Sequence, residues 1–121
     1  AIILINSTAG EIIDIQVMDD SISLTAIRFE KTKIRSAITH IDFVKDSFEA
    51  GKNIALGLDP VGLKNVFVIS DGQKVNGSEL VDGLQKHLPK ETIITGGLAG
   101  DGSNFRKTLE NSLVNKVLLS S

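Results

Sequence analysis

Three short segments hold the side chains and backbone that a small-molecule site would use: Ser70-Asp71-Gly72, Gly96-Gly97-Leu98-Ala99-Gly100-Asp101-Gly102 and Ser7-Thr8-Ala9-Gly10-Glu11. Asp71 and Asp101 offer carboxylates, while Ser70, Ser78 and Ser103 offer hydroxyls that both donate and accept. Glycines such as Gly97 and Gly102 let a ligand come close to the backbone, although the same four glycines in seven residues also suit a plain tight connection that needs positive φ. Ser7, Thr8 and Glu11 offer two hydroxyls and a partner for a cation or ammonium group. Taken alone, that third segment reads as a strand-to-strand turn with Glu11 in water.

Other chemistries fit the residues less well. The glycine run lacks glycine at the third position of the dinucleotide fingerprint, because Leu98 or Ala99 stands there, and no Gly-Lys-Ser/Thr forms a phosphate loop. The chain has no cysteine, which removes thiolate zinc sites, disulfides and cysteine nucleophiles, and fits a reducing cytoplasm. His40 and His87 have no second ligand at metal spacing. Ser70, His87 and Asp101 make a hydrolytic triad only on paper, since the Gly-x-Ser-x-Gly elbow is absent. Asp71, Glu79 and Asp101 as a Mg²⁺ set compete with roles as caps of helices and turns. No enzyme is expected, with a hydrolase or transferase using Asp71 or Asp101 as general base as the alternative.

Composition sets further bounds. The 121 residues are 41% hydrophobic and 23% charged, as in one soluble globular domain. Thirteen basic and fifteen acidic residues are interspersed, leaving a net charge of −2 and no field for nucleic acid or anionic lipid. Five Phe are the only aromatics, which argues against base stacking. The apolar runs Ile2 to Ile5 and Val66 to Ile69 are far shorter than the roughly eighteen residues of a membrane span, and no signal peptide is visible. Chains that begin and end on apolar runs are often excerpts of longer proteins, so an excerpt is expected here, although removal of an initiator Met would also expose Ala1.

The elements that must position these segments follow from periodicity. Strands are expected at Ile2 to Ile5, through Ile13, Ile15 and Val17, at Ser23 to Phe29 and at Lys33 to Thr39, paired antiparallel because no helix fits between them. Asp19-Asp20-Ser21 is expected to turn the chain. Val44, Phe48, Gly51 and Ala55 predict a helix from Asp42, its cap, to Leu56, ended by Gly57 and Asp59-Pro60. Val66 to Ile69 reads as a central strand and Thr92 to Thr95 as another. Between them Asn76-Gly77-Ser78-Glu79 forms a capping box for a helix carrying Leu80, Leu84, His87 and Leu88 and stopped by Pro89. One more strand is expected within Leu109 to Leu119. No internal repeat or low-complexity linker is visible. The fold class is therefore α/β, a mixed and partly antiparallel sheet with at least two helices packed on it. If the two central strands are parallel neighbours, both candidate loops leave the same end of the sheet, where open sheets bind ligands.

In order and spacing, Ser7-Thr8-Ala9-Gly10-Glu11, Val66-Phe67-Val68-Ile69-Ser70-Asp71-Gly72, Val75-Asn76-Gly77-Ser78-Glu79-Leu80 and Gly96 to Gly102 with Phe105 and Thr108 resemble the amino-terminal part of FIST domains. The resemblance implies a sensory input module of prokaryotic signalling proteins that binds a small ligand, with amino acids proposed. It also implies a histidine kinase, chemotaxis receptor or diguanylate cyclase as output partner. Some family members are haem-binding nitric oxide sensors, which stands as an alternative that is not favoured because neither His40 nor His87 lies in a matched motif, so no cofactor is expected. A whole FIST module has sequence before the Ser-Thr-Ala-Gly-Glu segment and a separate carboxyl-terminal half, so residues 1–121 are expected to be one domain of a larger unit. The expected ligand-binding residues are Ser7, Thr8, Glu11, Ser70, Asp71, Asn76, Gly97, Asp101 and Gly102.

Overall fold

The computed structural model describes residues 2–100 and 116–120. It is a mixed α/β fold: a four-stranded sheet, two helices packed on it, and a separate two-stranded hairpin. The elements run β1 (Glu11–Ile13), β2 (Gln16–Met18), β3 (Ser36–Ala37), a 3-10 turn (Ile41–Phe43), α1 (Ser47–Leu56), β4 (Asn65–Asp71), α2 (Gly77–His87), β5 (Ile93–Ala99) and β6 (Lys116–Ser120). The larger sheet has the order β3-β6-β4-β5. Within it β6 is antiparallel to β3 and β4, whereas β4 and β5 are parallel, with Asn65 opposite Ile93 and Asp71 opposite Ala99.

The parallel pair forms because a helix long enough to return the chain stands between its strands. Asn76 starts that helix by accepting the amides of Ser78 and Glu79 at 3.1 and 3.3 Å. Half of the expected capping box is supplied from elsewhere: the Asn76 amide donates to Ser47 Oγ on α1 at 2.9 Å. The start of α2 is thereby tied to the start of α1.

Val66, Val68 and Ser70 share one face of β4 by strand alternation, and all three are buried. On α1 the buried positions Ser47, Ala50, Gly51, Ile54 and Ala55 recur at helical spacing, and on α2 Leu80, Gly83 and Leu84 do the same. Ile54, Leu80, Leu84 and Val66 are the largest fully buried apolar side chains of the resulting core.

Several local expectations are corrected. Helix α1 starts at Ser47 rather than Asp42, because Asp46 accepts the Glu49 amide at 2.8 Å while Glu49 reaches back to the Lys45 amide at 3.1 Å. Asp42 instead pairs with Lys74 at 2.9 Å. The alternation of Ile13, Ile15 and Val17 is a hairpin rather than one strand, since Asp14 takes a left-handed φ of 57° and folds β2 back on β1. Asp20, with φ 51°, turns the chain where Asp19-Asp20-Ser21 predicts. No strand forms at Ile2 to Ile5 or Ser23 to Phe29, and only Ser36–Ala37 of Lys33 to Thr39 pairs, with β6. β-Propensity describes a side chain that fits a pleated, half-buried surface, and here that surface is lacking: Ile5 is 73% exposed and Leu24 88%. The tail strand is Lys116–Ser120, and the first part of its expected range lies outside the described residues.

Candidate functional site

Parallel pairing brings the ends of β4 and β5 to the same edge, and the expected loops begin later than their sequences suggest. Ser70 and Asp71 are the last residues of β4, and Gly96 to Ala99 continue β5 as strand. Gly96 makes that continuation possible. Its φ is +148°, and a Cβ there would collide with the Val68 backbone carbonyl. Only glycine takes this conformation so close to a neighbouring strand.

Beyond the strand ends the three segments meet. The chain after β4 crosses the end of β5 so closely that a Cβ on Gly72 would strike the Ala99 carbonyl. On the other side, the Gly100 amide donates to the Ser7 carbonyl at 3.2 Å, and Ser7 Oγ donates to the Gly100 carbonyl at 2.5 Å. A Cβ on Gly100 would stand 3.0 Å from the Ala9 nitrogen. The turn expected at Ser7 to Glu11 is thus docked against the glycine run.

Within that turn Thr8 Oγ1 donates to Glu11 Oε1 at 2.6 Å, and Ser21 Oγ donates to Oε2 at 3.0 Å. The two hydroxyls, Thr8 first and then Ser21, hold the Glu11 carboxyl below its ordinary range. A depressed carboxylate pKa favours the folded loop above the unfolded pKa, and that preference fades as pH falls through the folded value. Acidification is therefore expected to loosen residues 8 to 21, with the Glu11 side-chain carbon titrating below the usual glutamate midpoint by NMR. A normal midpoint with unchanged Ser21 signals would contradict this.

The remaining expected site residues sit as follows. Ser70 is 1% exposed on the helix-facing side of β4, so its hydroxyl is turned away from the sheet's open face. Asp71, 8% exposed, accepts the amides of Gln73 and Lys74 at 2.7 and 3.1 Å and folds the turn after β4. Asn76 is occupied as the α2 cap. Gly97 differs from its neighbours, because among the described residues a Cβ there would meet nothing within 4 Å and its φ lies outside the glycine region. It shares the open face of the sheet with Phe67, which is 39% exposed. Asp101 and Gly102 lie outside the described residues.

His87 lies away from this meeting point. His87 Nδ1 donates to the Gly83 carbonyl at 2.8 Å and its ring meets the Phe48 edge, ten residues and roughly 15 Å of helix from the Gly77 end of α2. His40 stands beside Phe43 before α1. No group of three or more potential metal ligands occurs among the described residues.

Sequence reasoning missed Ser47 and Ser21 as partners, and also a short echo. Ile3-Leu4 leads to Ala9-Gly10-Glu11 with the spacing by which Ile93-Ile94 leads to Ala99-Gly100-Asp101. The two Ala-Gly stretches are the ones that touch.

Comparison with known proteins adds one match. The family model described as FIST N domain matches residues 2–118. No curated protein and no solved structure matches. No helix among the described residues is long and apolar enough to cross a membrane. FIST domains are sensory domains of signal transduction, and the matched span takes in the docked Ser7 turn, both parallel strands and the start of β6. By this match along nearly its whole length, the chain belongs to the FIST family through its N domain.

Proposed function

We propose that this domain binds a small molecule, with a free amino acid as the ligand class, where the Ser7 turn meets the ends of β4 and β5. Binding would bias an output partner of the histidine kinase, chemotaxis receptor or diguanylate cyclase type in the cytoplasm. The observation that carries the reading is Gly97, a glycine on the open sheet face that neither backbone angle nor packing by the described residues requires. Such a position is suited to close approach by something outside the described fold. Glu11 supports the ligand class: its depressed pKa keeps it anionic, and two hydroxyls occupy only part of the roughly four acceptor sites of a carboxylate. A ligand ammonium group can use the others. Signalling then requires only that affinity differ between two conformations.

Gly97→Ala separates binding from folding. Because the added methyl meets nothing, stability is expected to change by less than ~0.5 kcal/mol, while the rise in melting temperature given by a bound amino acid disappears. A thermal-shift panel of amino acids on the parent and the variant measures both. No response in the parent, or an equal response in the variant, counts against the reading.

A second reading, an interaction domain without a ligand, draws on the exposed apolar side chains Ile12, Ile15, Val17, Ile22 and Leu24. It predicts concentration-dependent association and no amino-acid response.

A further inference from the structure

Val66, Val68 and Ser70 of β4 face the helices, so alternation and register put Phe67, Ile69 and Asp71 on the opposite face, with Thr95, Gly97 and Ala99 beside them on β5. Phe67 is paired with Thr95, Ile69 with Gly97 and Asp71 with Ala99. Exposure changes along this row. Thr95 and Gly97 are exposed and Phe67 is 39% exposed, whereas Asp71 and Ala99 are buried. The face is therefore open over Gly97 and closed one step further on, where the chain after β4 crosses Ala99 and the Ser7 turn docks.

Gly97 omits one side chain from a row that is otherwise mostly hydrocarbon. Ile69 stands across from it at the ~4.8 Å spacing of adjacent strands, and Thr95 and Ala99 flank it along β5 at roughly 6.6 Å. Phe67 is its diagonal neighbour, a separation that an aromatic ring bridges. Asp71, the acid in this row, is buried, and its Oδ1 accepts the Gln73 and Lys74 amides. Lys116 is paired with Ile69 on the far side of β4, two strands from Gly97. A charged group settled over Gly97 would give up water and find, among the described side chains beside it, only the Thr95 hydroxyl in return.

We infer that the gap over Gly97 takes the side chain of the ligand, that this side chain is long and apolar, and that Phe67 and Ile69 select it. The inference deepens the amino-acid reading and rests on it. Apolar character follows from the neighbours, since hydrocarbon laid on Phe67 and Ile69 leaves water at no polar cost. Length follows from the strand. Gly97 stands about 10 Å along β5 from Gly100, where the turn that carries Glu11 is docked. An amino acid held by its ammonium group at that end reaches Gly97 only with a long side chain. Phenylalanine, tryptophan, leucine and methionine meet both requirements, whereas glycine and alanine are too short and lysine and aspartate carry a charge.

The chain has no Trp and no Tyr, so free tryptophan reports its own binding against a silent protein. Titration of the full chain is expected to move tryptophan emission to shorter wavelength. Phenylalanine and leucine should then displace it at concentrations about tenfold or more below those needed of alanine or lysine, the discrimination that hydrocarbon contacts give. Phe67→Ala should weaken tryptophan about tenfold, with a melting curve of the ligand-free variant showing that it is folded. Thr95→Asp, a change at an exposed position, places a carboxylate beside the gap and should bring lysine level with phenylalanine or above it. Lysine or aspartate binding to the parent as tightly as phenylalanine would overturn this inference and leave the amino-acid reading standing. Undiminished tryptophan binding by folded Phe67→Ala would do the same. No binding by any amino acid would remove the reading beneath it as well.

Discussion

Gly83→Ala is expected to lower the unfolding free energy by about 3 kcal/mol or more, at the upper end of the cost of overpacking a closed interior. In an exposed helix the same change would be favourable by ~1 kcal/mol, because alanine is the better helix former. The sign reverses here because α1 and α2 cross at two glycines. A Cβ on Gly83 would enter the Phe48 carbonyl and lie 3.0 Å from the Lys52 nitrogen, and one on Gly51 would enter the Leu80 carbonyl and lie 2.9 Å from the Leu84 nitrogen. The obstacles are backbone atoms, which cannot rotate aside as a side chain can. Relief requires the helices to part, which loosens Ala50, Ile54, Leu80 and Leu84 in the core. Thermal unfolding should show a drop of roughly 10 °C for a domain of this size. A variant as stable as the parent would mean that the helices are not so close.

Gly96→Ala is the second large effect, and it acts on the site rather than the helix layer. Its φ of +148° is costly for any residue with a side chain, and the new methyl would collide with Val68 backbone in β4. The combined cost is expected to reach about 3 kcal/mol, with damage centred on the β4–β5 pairing. Urea unfolding gives the stability change. Amide signals locate it: Gly97, Ala99 and Gly100 should shift or broaden, while those of α1 move little. The contrast with Gly97→Ala is the sharpest consequence of the geometry, since adjacent glycines are predicted to differ by several kcal/mol. Equal effects at the two positions would contradict the placement of both.

The parts of this fold that the sequence shows plainly are those set by local signals. Asn76 before Leu80 and Leu84, with Pro89 beyond, marks α2, and the four apolar residues Val66 to Ile69 mark β4 as buried. A single helix between β4 and β5 makes their parallel pairing a short step. The converging loops follow from that pairing together with the docking of Ser7 against Gly100, which is a contact between residues 93 apart in the chain.

What was not legible depends on partners distant in sequence. Ile2 to Ile5 and Ser23 to Phe29 have strand-forming side chains, but propensity does not provide a neighbouring strand. The start of α1 is ambiguous in sequence because Asp42 and Asp46 can both cap a helix, and only Asp46 has a glutamate three residues on. Gly96 and Gly97 looked like loop because glycine usually marks one, whereas here a close strand neighbour requires the first and packing requires nothing of the second. Ser70 and Asp71 fall in one expected loop by sequence, but as the last residues of β4 their side chains alternate to opposite faces.

Amide chemical-shift mapping on isotope-labelled protein, titrated with a panel of free amino acids, addresses the ligand reading most directly. The prediction is saturable movement of the Ser7 to Gly10, Gly72, Gly97 and Gly100 amides together, with Phe48 and Lys86 on the helix layer unmoved. Saturable shifts confined to the helix layer, or none anywhere across the panel, would contradict it.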